Sequence, residues 1–581
     1  MENKICQSCR QNFTVEPDDF IFYAKIKVPS PTFCPQCRSV RRLVWWNEHT
    51  LYKRSCDLCK KPTISIYSLE YSGIVYCSSC WHSDKWDRES FGKEYDFSKP
   101  FFTQFDELFK AMPQSALVLM SSENCEYNNY MTNCKDCYLC FRVHRSQNML
   151  YTYRAKPCSD CTDCLGVFNS KRLYRCIECI DCDNSKYLEF SNGCMDSAFL
   201  YNCRNCISCY MCSNLRNKQY CFNNEQLSKD EYRKKIAEIN FGSRKVVEEN
   251  FKLFKTMKDG TIRKYALIMN SKNVTGDNIR NSNNCRESYD VVDVENGAYL
   301  LEVLRPSKDI YDSSGGGRNE LVYEFGGAGC NNCSFSYDVG ESRNVSYSQF
   351  VEHSHDMFGC VGIWHKEYCI LNKQYTKEEY EALVPKIIAH MNEMPYTTKN
   401  NTVYKYGESF PTELSPFAYN ESYAQDFFPL TKDEAISQGF RWRDQEARNY
   451  QPTMNTVGVP DAISEASDDI LKELISCAHE GKCPGDGTIC KAVCTSAFKI
   501  IPEELRFYRT MNIPLPVLCP NCRQYERLSQ KNPTKLWHRL CMCTQDSHSH
   551  SEKCQNEFET SYSPESAEKI YCEKCYLLEV N

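Results

Sequence analysis

Cysteines at both ends of the chain repeat one spacing. Cys6 and Cys9 are followed, after 24 residues, by Cys34 and Cys37; Cys490 and Cys494 are followed at the same interval by Cys519 and Cys522. The flanks repeat too: Phe22-Tyr23 and Cys34-Pro35-Gln36-Cys37-Arg38 near the start answer Phe507-Tyr508 and Cys519-Pro520-Asn521-Cys522-Arg523 near the end. A second group follows each, Cys56, Cys59, Cys77 and Cys80 in one case and Cys554, Cys572 and Cys575 in the other. Two Cys-x-x-Cys turns bring four thiolates around one ion, and soft sulfur ligands in a closed tetrahedron select zinc and leave no position for substrate. The chemistry implied is four structural tetrathiolate sites and about four zinc ions. Two of them depart from the ruler. Cys490-x-x-x-Cys494 is one residue too long, so that loop must bulge, and Ser551 stands where the last site needs a cysteine. Cys541 is taken as the displaced ligand, with Cys543, His548 and His550 as the other candidates.

The elements that position these ligands follow from the text between them. Residues 12–15 alternate as a short strand, 16–23 open a helical turn, and 38–46 have helical character with Leu43 and Trp46 inward and the arginines outward. Residues 4–42 resemble the zinc-ribbon, treble-clef-type family through Cys6-x-x-Cys9, Phe13-Thr14, Phe22-Tyr23, Pro31 and Cys34-Pro-x-Cys37-Arg38, with a related copy near 488–527. The whole chain is similar to cysteine-rich zinc-ribbon proteins of candidate-phyla bacteria, a resemblance that implies no activity. Arg38, Arg41, Arg42, Arg523 and Arg527, on the helices after the second knuckles, are the candidates for contact with phosphate or an acidic partner.

At 581 residues the chain exceeds one core and should divide into several units. Its 40 cysteines fit metal-held thiolates in a reducing cytoplasm better than an exported disulfide framework, and no apolar run reaches membrane-spanning length. The net charge of −6 gives no global basic field for nucleic acid, although residues 1–60 hold ten Lys/Arg against six Asp/Glu.

Between the fingers lie two segments with internal repeats, at 121–222 and 270–372. Aligning apolar anchors gives Tyr138, Leu150, Leu165, Tyr174, Tyr187, Phe199, Tyr210 and Tyr220 in the first, and Tyr289, Leu300, Ile310, Val322, Phe335, Val345, Met357 and Tyr368 in the second. Units of roughly 11–12 residues belong to repeat architectures, and two units per coil would stack into a β-solenoid. The first array carries 16 cysteines, including Cys203, Cys206, Cys209 and Cys212, without the spacing of an iron–sulfur run; the second keeps the pattern with Ser, Asn and Gly in similar places. That exchange points to small packing residues rather than ligands. Each array ends in a capping box, Ser228-x-x-Glu231 and Thr376-x-x-Glu379, opening helices at 229–239 and 377–392 that should cover the solenoid ends.

The expected order is therefore fingers at 1–50 and 51–100, a Cys-rich array at 121–225, a helical cap and bridge at 226–268, a second array at 269–374, a cap at 375–395, an irregular linker at 396–476, and fingers at 477–530 and 531–581. Residues 461–476 read as a helix leading into the last fingers. No phosphate-gripping loop, nucleophile elbow or zinc-protease helix occurs, and Glu352-His353-Ser354-His355-Asp356 is the densest polar cluster, on what reads as a repeat turn. The expectation is a multidomain, mainly β, cytoplasmic zinc protein without enzymatic activity, a scaffold docking a protein partner on its repeats. The alternatives are a redox or metal-handling role for the first array's thiols and nucleic-acid or ribosome binding through the finger helices.

Overall fold

The computed structural model describes residues 1–581 except 156, 167–173, 178–180, 445–449, 483–492, 546–547, 549, 551 and 581. Among the described residues, no helix is long and apolar enough to cross a membrane.

The two repeat segments are stacks of parallel turns. In the first, Asn129 bridges Phe141, Thr132 bridges His144, Lys135 bridges Gln147 and Tyr138 bridges Leu150, so every third residue pairs in parallel with the residue twelve later. Each unit is therefore one whole turn, not half of one. A turn closes in so few residues because the backbone bends at every third position: φ is positive at Ser121, Asn124, Tyr127, Tyr130, Asn133, Asp136 and onward in threes to Arg154. Left-handed backbone is cheapest for Asn and Asp among residues with side chains. Where they fill the corners they also bond along the stack, as Asn148 Nδ2 does to Asp160 Oδ1 at 3.0 Å and Asn184 to Asp196 at 2.6 Å.

Every triplet thus has one inward residue, one pairing residue and one corner. The inward places, four to a turn, hold most of the cysteines: Cys134, Cys137 and Cys140, then Cys158, Cys161 and Cys164, then Cys203, Cys206, Cys209 and Cys212 are all buried in one core, with Met131, Val143, Leu188 and Leu200 among them. The second array runs as an 11-stranded sheet in chain order from Ile268–Met269 to Lys373–Gln374, parallel until its last hairpin. Its inward places are filled by Val, Ile, Ser and five cysteines. Turn length varies there: Ile268 faces Ile279, but Val294 faces Ser307. At Gly276, where the register shifts and φ is 134°, a Cβ would lie 1.8 Å from the Ser288 carbonyl oxygen, so only glycine fits.

The anchors read from sequence drift against this register. Leu150 faces Thr162 rather than Leu165, and Tyr187, Phe199 and Tyr220 are corner residues with positive φ. A triplet turn places bulky side chains at all three phases of one period, inward at Ile310, pairing at Tyr138 and corner at Tyr187, and alignment of apolar anchors alone slides between them.

Cysteine and serine exchange because both satisfy the same backbone groups. An inward hydroxyl or thiol donates to a carbonyl of its own turn or the next and accepts an amide twelve residues on: Ser191 Oγ accepts from Cys203 N–H at 3.1 Å, and Cys203 Sγ donates to the Cys212 carbonyl at 3.6 Å. Cys203→Ser is accordingly expected to change unfolding free energy by under about 1 kcal/mol, whereas Cys203→Ala, which removes the thiol's bonds and leaves a void in a fully buried column, costs about 1–3 kcal/mol. Denaturant titration compares them, and equal losses would contradict this account.

Both stacks end as the capping boxes require. Helices Lys229–Ala237 and Lys377–Glu393 start with Ser228 and Thr376 accepting from the Glu231 and Glu379 amides, and Tyr232 and Tyr380 pack on Tyr220 and Tyr368 of the last turns. The bridge holds a further helix, Arg244–Gly260, whose Phe251 and Phe254 lie against Phe199. Its counterpart, Phe101–Ala111, sets Phe101 against Phe358 of the second array. The stretch read as a helix before the last fingers contains only short 3-10 turns, at Ile463–Glu465 and Asp468–Lys472, and ends in strand Ile475–Ser476.

The finger pairs dock crosswise. The N-terminal pair lies on the second array: Phe22 stacks on Tyr311 with ring centroids 3.9 Å apart, and Arg88 stacks on Trp364 at 3.9 Å. The C-terminal pair lies on the first: Tyr508 meets Tyr174 edge-on, and Tyr576 OH accepts from Asn202 Nδ2 at 2.7 Å. Each array thus carries the fingers farther from it in the chain.

Candidate metal centres

Four groups of four cysteines bring their sulfurs to within 4.8 Å of one another: Cys6, Cys9, Cys34 and Cys37; Cys56, Cys59, Cys77 and Cys80; Cys477, Cys494, Cys519 and Cys522; and Cys541, Cys554, Cys572 and Cys575. Sulfurs on a tetrahedron with 2.3 Å bonds stand about 3.8 Å apart. The structure gives 3.7 Å for Cys9 to Cys34, 3.9 Å for Cys59 to Cys77 and 3.8 Å for Cys477 to Cys522. No described cysteine is in a disulfide.

One backbone template builds all four. A two-stranded hairpin supplies the first two ligands, as Glu2–Ile5 pairs antiparallel with Asn12–Val15, Tyr52–Ser55 with Pro62–Ser65, Ile475–Ser476 with Ala497–Phe498, and Trp537–Leu540 with Glu557–Thr560. The third ligand, Cys34, Cys77, Cys519 or Cys572, immediately precedes a helix that carries the fourth. Its amide donates to the first ligand's sulfur at 3.3 Å from Cys34 to Cys6, and at 3.2 Å from Cys77 to Cys56, Cys519 to Cys477 and Cys572 to Cys541. Amide donors and a helix N-terminus both favour thiolate over thiol.

The template corrects the third site. Cys490, the ligand the spacing suggested, lies outside the described residues, and Cys477 occupies the first ligand's place. Sixteen residues, 478–493, separate Cys477 from Cys494, where two separate Cys6 from Cys9. Cys494-x-x-x-Phe498 repeats Cys9-x-x-x-Phe13, a signal that makes Cys494 the second ligand and displaces the first upstream. The fourth site has its insertion at the same point, 542–553, with Cys541 as the first ligand. Cys543, His548 and His550 stay out of that four-cysteine set and gather beside it around Cys575.

Four thiols this close cannot all ionise without a cation. Hydrogen bonds from the Cys34 and Cys37 thiols hold Cys6 well below the ordinary thiol value, while the same contacts drive Cys37 far above it. At the second site burial works against ionisation of Cys56, but amide donors from Cys77, Cys59 and Leu58 prevail and bring it down to about 6; burial and its three neighbours push Cys80 up to about 12. A divalent ion at the centre removes the conflict. Among the described residues, no array cysteine joins such a group.

The finger arginines correct another expectation. Arg38, Arg41, Arg42, Arg523 and Arg527 are each 1–2% exposed and face inward. Arg38 and Arg42 share Asp312, at 2.9 and 3.1 Å; Arg41 lies between Glu408, at 2.8 Å, and Glu324. Arg523 and Arg527 share Asp163, at 2.8 and 3.2 Å. They are buried anchors between finger and array, closed to phosphate or an outside partner. A buried guanidinium persists only where carboxylates meet it; Asp312, Glu324 and Asp163 sit on array turns against which the helices lie, and Glu408 on the segment after the second array's cap helix.

Between the arrays, a cavity of about 520 Å³ is walled by Trp46, Arg142, Glu302, Gly316, Gly327 and Trp364, among others. His353 lines it, stacked on His365 one turn on with centroids 5.0 Å apart. His355 pairs with Asp356 at 2.8 Å and Glu367 at 3.0 Å, so the polar cluster at 352–356 is bound into turn-to-turn contacts.

No protein-family model matches the chain, and neither does any curated protein. The zinc-ribbon resemblance therefore stands on the four-cysteine clusters alone.

Proposed function

We propose that this chain is a zinc-binding, non-enzymatic scaffold in which four tetrathiolate centres shape the fingers that clamp two β-solenoids together. The repeat surface, with the cavity between the arrays, is the docking face for a protein partner. The observation that carries this reading is the repetition of one closed four-cysteine template four times, with no ligand position left for substrate. The burial of Arg38, Arg41, Arg42, Arg523 and Arg527 against array carboxylates supports a clamping role for those modules.

Metal analysis of the full chain tests it. Zinc filling at least the four tetrathiolate groups, without iron, is the expected result. Iron with visible thiolate absorbance would replace this reading with electron transfer or metal handling.

A further inference from the structure

The insertion in the fourth finger brings a second ligand set against the first. Cys543 Sγ lies 3.1 Å from His548 Nδ1, and Cys575 Sγ lies 3.5 Å from His550 Nε2, with all four ligand atoms within 4.8 Å of one another. Sulfur and nitrogen on one tetrahedral ion stand about 3.5 Å apart. Cys543, His548 and Cys575 are buried, at 0%, 6% and 1% exposure.

The other nitrogen of each ring faces an oxygen. His548 Nε2 faces Glu579 Oε1 at 3.6 Å, and His550 Nδ1 meets the Glu552 carbonyl oxygen. The Glu552 carbonyl holds a proton on His550 Nδ1 and turns the Nε2 lone pair toward the cluster, the arrangement that orients metal-bound histidines, and the Glu579 carboxylate lies on the corresponding side of His548. Cys575 belongs to both groups. A thiolate has lone pairs enough for two ions. Four thiolates around one divalent ion carry a net double negative charge; a second divalent ion, with one further thiolate and two neutral imidazoles, reduces it to a single one.

We propose that the fourth finger is a two-metal centre, in which Cys543, His548 and His550 hold a second zinc-class divalent ion and the Cys575 thiolate bridges it to the ion of Cys541, Cys554 and Cys572. This rests on the reading that the four-cysteine group is itself filled. Loading deprotonates Cys543 and releases that proton to solvent; no oxidant or reductant is involved. The first ion orders the finger, and the second ties Cys543, His548 and His550 to it.

The test is metal content per chain, measured on the full chain for the parent, the double variant H548A/H550A and Cys543→Ser. Each variant is expected to hold one ion fewer than the parent. In cobalt-substituted protein, the thiolate bridge couples two of the ions magnetically, so the parent gives less paramagnetic signal per cobalt than the double variant. His550→Gln, on a ring only half buried, reads the same ion should the double variant fail to fold. Unchanged metal content in folded variants would overturn the proposal, leaving these contacts as S–H to N hydrogen bonds, while the tetrathiolate reading stood. A parent without metal would overturn both.

Discussion

Asp312→Ala is expected to cost about 3–5 kcal/mol of stability, far more than the loss of one surface charge. Asp312 accepts from both Arg38 and Arg42 with all three side chains at 0–1% exposure, so its removal strands two guanidiniums in the finger–array contact. Arg38 keeps its bond to the Phe33 carbonyl, at 2.7 Å, and Arg42 its bond to Ser39, at 3.0 Å; neither supplies a countercharge. Denaturant unfolding gives the loss directly. Proteolysis should then cut near residue 50 first, because the first finger comes away from the second array while its own metal site stays closed. Asp163→Ala should do the same to Arg523 and Arg527 at the other end. Replacing Asp312, Arg38 and Arg42 together by apolar residues of similar volume should restore most of the stability, since a buried ion network is costly chiefly when half of it is missing. A loss below about 1 kcal/mol for Asp312→Ala would show that water reaches the contact and that the arginines are surface groups after all.

Those arginines show what the sequence could and could not disclose. The metal ligands were legible because their geometry is local: three-residue spacing in a tight turn, repeated, fixes where two sulfurs lie, and Cys6, Cys34, Cys56 and Cys77 are all where the ruler puts them. The cap helices were legible for the same reason, since a Ser or Thr and a Glu three residues on close a bond within one turn. Arg38, Arg41 and Arg42 in a row look like a solvated stripe, and their true environment depends on Asp312 and Glu324, some 270 residues away, and on Glu408. Long-range pairing of buried charge leaves no local mark. Cys477 was hidden by a different cause: the insertion at 478–493 separates it from its partner Cys494, and Cys490 happens to offer a near-correct spacing. The triplet turn lay in plain text in the cysteines at 134, 137 and 140 and at 203, 206, 209 and 212, but a three-residue period resembles knuckle spacing until the 12-residue parallel pairing is known.

Stripping the metal is expected to be the most damaging treatment, and its effect should spread beyond the fingers. A structural tetrathiolate site supplies apparent binding energy of about 10–16 kcal/mol near neutral pH, much of which is folding energy in a module with little core. Here the third ligand of each site precedes a helix, and at Pro35–Val44 and Pro520–Leu528 that helix carries the buried arginines. Loss of the ion frees the start of the helix, withdraws the guanidiniums from Asp312, Glu324 and Asp163, and leaves those carboxylates in apolar surroundings without a partner. An isolated buried carboxylate is far costlier than a paired one. A strong chelator should therefore lower the melting temperature of the array signal together with that of the fingers, in one coupled transition, and zinc added back before aggregation should restore it. The arrays have cores of their own, the cysteine columns of the first and the Val, Ile and Cys columns of the second, neither of which contains a ligand of the four metal sites. Arrays that keep their parent melting temperature after complete metal loss would show that finger and array are energetically separate, and that the centres fold the fingers without clamping the repeats.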